Sequence, residues 1–390
     1  MNSVTNSLHL LSNWKAFQAG GAWKSAHEFP LYTDARFTGD AGTFGPYTLT
    51  NSLAYAALSG EALVKPALVL RADDYQLANS GEPSGVTVLQ GKAKTRIDAF
   101  HGGSLRDEVS ALLSLNYGIR LSAGPSMREF VRKDSPGIPR FLLGLDPPTY
   151  RFSFERPMLH TATGCRAIED LNLLDGLVRV PPAMLNNLIR SARMYQQAMW
   201  MAESEPSMAW LLLISSVECA ANAWWNGKKP SHVERFRDAA PPELVLILEK
   251  SCSAADVEAI STYLVNAFGA GKKFVGFVSQ YLPPAPVNRP AEILRIDWEM
   301  HQLERPLKRL YDHRSKALHS GVPFPSPLCR PPFPEGDSYL EAPPGEASAE
   351  LGGVWKKSDL PMYLHIFEHM ARGALKNWWL SLIRKNQEDF

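Results

Sequence analysis

Hydrophobic positions follow two different rhythms along the chain. Over the first 155 or so residues they come in short runs bounded by Gly, Pro and Asp. "PALVLRA" (Pro66–Ala72), "GVTVLQG" (Gly85–Gly91) and "RFLLGL" (Arg140–Leu145) read in this way as strands. One helix is expected among them, in "SLRDEVSALLSLNYG". Ser104 and Asp107 have capping-box spacing, Val109, Leu112 and Leu113 share a face, and Gly118 can end the helix in the left-handed region. The glycines at 39, 42, 45, 102 and 103 read as turns rather than as a phosphate cradle.

From Pro181 the period lengthens to that of helices. Leu185, Leu188, Ile189, Ala192, Tyr195 and Met199 form one stripe, and Leu211, Ile214, Val217, Ala221 and Trp225 form the next. "ELVLILEK", "DVEAISTYLVNAF" and "KKFVGFVSQYLPP" read as shorter helices. A further helix is expected over Ile293 to Leu318, with Leu303, Leu307, Leu310 and Leu318 on its inner face and Pro306 as a kink or a restart. The last, Leu360 to Arg384, lines up Leu364, Phe367, Met370, Ala374, Trp378 and Leu382. Between these two helices lies a stretch too rich in proline for helix or central strand, which reads as a solvated loop. Loops of that length inside domains are often functional. The pattern predicts an α+β chain with a β-rich N-terminal domain (1–155), a connector (156–180) and an all-α helical bundle (181–390) carrying a Pro-rich insertion (321–357).

Composition changes this picture little. The chain has 390 residues, with 45% hydrophobic and 21% charged, which is ordinary globular material. Its 41 Lys and Arg against 40 Asp and Glu exclude a bulk polyelectrolyte, so any nucleic-acid contact must come from a local cluster. Cys165, Cys219, Cys252 and Cys329 form no CxxC pair and fit a reducing cytosol. The N-terminus has no basic start followed by a long apolar run, and no stretch approaches a membrane span. A soluble, cytoplasmic protein without membrane contact is expected.

Two motifs fail on inspection. "FGAGKKF" lacks the first glycine and the Ser or Thr of a phosphate-binding loop. His365 and His369 are four apart, but Ile366 stands where a zinc-protease motif needs Glu. The tryptophans at 210, 224, 225, 378 and 379 read as core rather than as base-stacking platforms.

"LYDHRSKALHSG" (Leu310–Gly321) is different. Arg314 falls on the stripe of Leu303, Leu307, Leu310 and Leu318, where an apolar residue belongs. A buried guanidinium needs a partner, and Glu218 interrupts the stripe of an earlier helix in the same way. A structural Arg314–Glu218 ion pair explains both. The neighbours suggest more. Ser315 and His319 are i,i+4, Tyr311 lies a turn earlier, and Arg305, Lys308, Arg309 and Lys316 add positive charge, which could equally be a solvated face. No carboxylate cluster for magnesium accompanies them. Arg314 suits a phosphate, and the His319 imidazole suits a proton transfer.

Tyr311, the Arg314–Ser315 pair, His319 after four intervening residues, and the small residues that follow resemble the signature of the HEPN superfamily, in its Apea-like branch. The order of the Glu218 helix, the "KKF…QYLP" helix and the amphipathic last helix is similar too. The resemblance covers Pro181 to Arg384, with the proline-rich insertion a departure. It implies a helical bundle that forms a homodimer and cuts RNA without metal or other cofactor, often as a toxin or antiviral-defence effector. Arg314 and His319 would be catalytic, Ser315, Tyr311 and Glu218 supporting, and Lys308, Arg309 and Lys316 RNA-binding. The N-terminal domain would sense a protein or nucleic-acid trigger. Other HEPN proteins are non-catalytic interaction modules, which is the alternative expectation.

Overall fold

The computed structural model describes residues 9–51, 64–77, 100–140, 156–227, 231–264 and 269–388. "GVTVLQG", and "RFLLGL" beyond Arg140, lie outside them. The chain is α+β, with its main sheet in the N-terminal part and mostly helices in the C-terminal part. No helix among the described residues is long and apolar enough to cross a membrane.

The chain divides into two compact units. The first comprises 1–212, 331–333 and 376–390, the second 213–330 and 334–375. The first unit opens with α1 (His9–Gln18), followed by β1 (Ala22–Thr33), β2 (Arg36–Thr38), β3 (Ala41–Phe44), β4 (Tyr47–Asn51) and β5 (Lys65–Gln76). Then come α2 (Leu105–Tyr117), β6 (Ser122–Ala123), β7 (Arg128–Phe130), β8 (Ile138–Pro139), β9 (Cys165–Ala167), α3 (Asn172–Asp175) and α4 (Pro182–Met201). Seven strands form one antiparallel sheet in the order β3-β4-β5-β1-β7-β8, with β6 also on β1. "PALVLRA" lies within β5. One face of the sheet carries the buried Phe44, Tyr47, Leu49, Leu68, Leu70 and Ala72. Asn13 of α1 fastens the helix to the sheet through the Tyr47 hydroxyl and the carbonyl of Asp73. Thr48, Val69 and Arg71, between those positions, are half-buried on the other side, where Ala26 and Phe130 are buried.

The twelve residues of β1 escaped the strand reading because Pro30 interrupts them. The proline sits where β1 passes from pairing β7 to pairing β6, so its missing N–H breaks no ladder there. The expected helix is α2, with its capping box at Ser104 and Asp107 and Gly118 left-handed at φ 68°. The stripe of α4 is fully buried, but its cover is α2 of the first unit. Gln196 of α4 donates to the Ser110 hydroxyl and the Leu121 carbonyl. The division into compact units thus departs from a boundary at Pro181. Periodicity shows that a face is covered, not by what.

α5 (Pro206–Gly227) passes from the first unit into the second, which continues with α6 (His232–Ala239), α7 (Pro242–Ser251), α8 (Ala254–Leu264), α9 (Ala270–Tyr281) and α10 (Met300–Ser320). Two short hairpins follow, β10 (Pro334–Glu335) with β11 (Ser338–Tyr339) and β12 (Ala347–Glu350) with β13 (Gly353–Lys356), then α11 (Leu364–Glu388), whose end belongs to the first unit. Pro306 lies inside α10 without ending it. The proline-rich insertion is not a solvated loop. Phe324, Leu328 and Leu340 are buried, and Glu341 takes Arg289 in a two-bond clamp at 2.6 and 2.7 Å.

Candidate functional site

The site is built from the part of α5 that carries Glu218, from α9 and from α10, all within the second unit. On α10, Leu303, Leu307 and Leu310 are buried against the bundle, and this cover ends within the next two turns. Arg314, next on the stripe, has a side chain 17% exposed, and Leu318 is 51% exposed. Leu318 is therefore not on an inner face as the periodicity predicts. The helix leaves its cover at Arg314, so the guanidinium stands at the lip of the core rather than inside it.

Glu218 of α5 reaches this lip. Arg314 Nη2 donates to Glu218 Oε2 at 2.5 Å, and the Tyr311 hydroxyl donates to Glu218 Oε1 at 2.9 Å. One carboxylate thus fixes both a guanidinium and a phenol. The guanidinium carbon also lies 5.6 Å from the centre of the Tyr311 ring, and Phe274 of α9 backs that ring at 5.5 Å. Gly271 of α9 faces the Tyr311 ring too; a Cβ there would lie 3.4 Å from it. Burial pushes the Tyr311 phenol up, and the charge of Glu218 with its hydrogen bond adds to this, against Arg314. Tyr311 therefore stays protonated near neutrality and acts as a donor, not a base. Arg314 Nε is buried with no hydrogen-bond partner among the described residues.

His319 lies in the last turn of α10 and is exposed. Five residues at about 100° each set it about 140° round the axis from Arg314. It shares the outer face with Arg309 and Lys316, while Ser315, half-buried, lies between the two directions. The expected RNA-binding cations are unequal. Lys308 lies 3.6 Å from Glu304, and Arg309 Nε lies 3.6 Å from Asp359 Oδ1. Lys316 is exposed and has no ion-pair partner among the described residues.

A contact missed by sequence reasoning joins the insertion to α10. His313 Nε2 meets the Asp359 carbonyl at 2.8 Å, in the short turn Lys357–Asp359 that closes the insertion. Burial lowers the His313 pKa, opposed by the hydrogen bond to that carbonyl. His313 stands inside the motif, but nothing in the local pattern pairs it with a residue 46 positions away. Cys329, also in the insertion, is pushed up to about 11 by burial and so stays a thiol.

The arrangement offers a guanidinium anchored on one carboxylate, a protonated phenol beside it, and an exposed imidazole on the same helix. Such groups suit an oxyanion and a proton transfer. Compared with known protein families, with characterised proteins and with solved structures, the chain matches none of them.

Proposed function

We propose that the helical part is a HEPN-type module of the Apea-like branch, and that the chain is a metal-independent endoribonuclease acting as a toxin or antiviral-defence effector. The observation that supports this is the Glu218–Arg314–Tyr311 cluster at the lip of α10, with His319 in the last turn of the same helix. RNA brings its own nucleophile, the 2′-hydroxyl. His319 takes the proton as the 2′-oxygen bonds to phosphorus. The bond from phosphorus to the 5′-oxygen breaks, and that oxygen takes a proton from a second imidazole. A homodimer supplies the second imidazole from the other copy, since a two-fold axis doubles whatever lies on it. Arg314 stabilises the charge on the non-bridging oxygens, held in place by Glu218. Lys316, with Lys308 and Arg309, holds the flanking phosphates, and the N-terminal part senses the trigger.

A second reading, a non-catalytic interaction module, is favoured by one observation. Arg314 and His319 diverge by about 140° round α10, so one chain does not aim both at one atom. Incubation of the purified chain and His319→Ala with RNA separates the two. Under the first reading cleavage survives EDTA, stops with a 2′-deoxy substitution at the cut, leaves a 2′,3′-cyclic phosphate and a 5′-hydroxyl, and is lost in His319→Ala. A requirement for magnesium with 5′-phosphate products would overturn the assignment of Arg314 and His319. An RNA left intact by a folded dimer would leave the binding module.

A further inference from the structure

The water-facing side of the seven-stranded sheet carries an arrangement that the α10 site does not use. Its half-buried residues are Thr48 on β4, Val69, Arg71, Asp73 and Tyr75 on β5, and Trp23 and Glu28 on β1, while Ala26, Pro30 and Phe130 on the same side are buried beneath or beside them. Plain alternation would put Lys24 opposite Tyr75. A register shift between Trp23 and Ser25 puts Trp23 there instead, so the indole lands beside the phenol on the open face. Its Nε1 donates to Asp73 Oδ1 at 2.8 Å, and Asp73 in turn accepts from Arg71. The Arg71 guanidinium lies over the Phe130 ring, 4.4 Å from its centre, and its side chain stays 29% exposed. At the other end Phe17 sets its ring edge against Tyr75 at 5.0 Å and is itself 38% exposed. Lys133, exposed in the turn after β7, lies 5.9 Å from the Trp23 ring centre and 6.0 Å from that of Tyr75.

This is a row of half-exposed planes, the Arg71 guanidinium over a buried Phe130 ring, then Trp23, then Tyr75, flanked by the exposed ammonium of Lys133. A hydrophobic partner would be opposed by the charges in that row. The carboxylates of the face are matched, Asp73 by Arg71 and Glu28 by Arg128 at 4.0 Å, which leaves Arg132 and Lys133 against Asp134 beside it. Fixed aromatic and guanidinium planes with surplus positive charge at the rim are the complement of unstacked bases on a phosphate chain. A duplex keeps its bases stacked and offers no free face. We propose that this sheet face binds single-stranded nucleic acid, the bases stacking on Arg71, Trp23 and Tyr75 and the phosphates meeting Lys133 and Arg132. The site does not depend on the ribonuclease reading.

The test uses the full chain carrying His319→Ala, so that a bound strand stays intact, and fluorescence anisotropy with labelled oligo(U) and oligo(dT) of about 12 nucleotides. Both strands should bind, with affinity falling steeply between about 50 and 200 mM salt, and a duplex of equal length should bind far more weakly. Tyr75→Ala should weaken binding about tenfold, Tyr75→Phe should leave it near the parent value, and Lys133→Ala should flatten the salt dependence. Thermal melts of each variant check the fold. No binding at low salt, equal binding of duplex and single strand, or loss on Lys316→Ala with none on Tyr75→Ala would each overturn the proposal. The last result would place the bound strand on α10 instead.

Discussion

Both units hold an arginine against carboxylates, and the two are set in different surroundings. Arg120 in the first unit is fully buried, with Nε at 2.9 Å from Asp34 Oδ2 and Nη1 at 3.4 Å from Glu203 Oε1. Glu203 also accepts the backbone N–H groups of Met158 and Leu159, so this cluster staples chain segments that lie far apart in sequence. Arg314 in the second unit has one carboxylate, a side chain 17% exposed, and a phenol sharing that carboxylate. The same side chain therefore serves as a rivet in one place and as an anchored donor in the other. What separates them is access to water and the number of acceptors already engaged.

The largest effect that tests this contrast is on Arg120. Arg120→Met strands two carboxylates, one fully buried and one nearly so, and should lower stability by about 3–5 kcal/mol in urea melts. Arg314→Met, at the lip, should cost no more than about 1–2 kcal/mol, because water reaches Glu218. Equal losses would show that the two arginines are the same kind of structural pair.

Next in size is Glu218→Gln. The amide keeps the shape and still accepts from Tyr311, but gives up the charge that holds Arg314. Stability should fall by about 1–2 kcal/mol and, on the proposed ribonuclease reading, RNA cleavage should fall further than that loss explains. Unchanged cleavage would remove Glu218 from the site. Arg314→Lys sharpens the point. Its charge remains, so stability should move by less than about 1 kcal/mol, yet a lysine lacks the planar fork that the proposed reading uses to hold Glu218 and a phosphate together. Cleavage restored to the parent level by lysine would show that only charge matters there.

The smallest expected effect concerns pH. Burial sets the His313 pKa in the fold below its ordinary value, so between the two values the unfolded chain binds a proton that the fold does not. The contribution of His313 is present above the unfolded pKa and is lost as pH falls through the folded one. Urea midpoints followed from about pH 7.5 to 5 should fall less steeply in His313→Gln than in the parent. Identical slopes would show that burial of His313 does not lower its pKa in the fold.

Much of the helical part was legible. The stripes of α4 and α11 are buried as their spacing predicts, and the ends of α2 follow Ser104, Asp107 and Gly118. Arg314 and Glu218 could be matched because each is a charge in an apolar row, and charge at the edge of a core demands a partner. Leu318 could not be placed, since the row continues through it while the cover does not. The Trp23–Tyr75 pair was hidden for another reason. A one-residue bulge exchanges Lys24 for Trp23 on the open face, and nothing in the local pattern marks it.

The sequence by itself determined what depends on neighbours three or four residues apart: helix periods, caps, and the charges that break an apolar stripe. Only the tertiary structure decided which surface covers each stripe, where the cover ends on α10, how β1 runs through Pro30, and that Glu341 closes the insertion on Arg289 from 52 residues away. The reason is physical. A helical turn is fixed by torsions and spacing within the segment, whereas register, burial depth and ion-pair partners are set by contacts between segments whose separation along the chain carries no periodic signal.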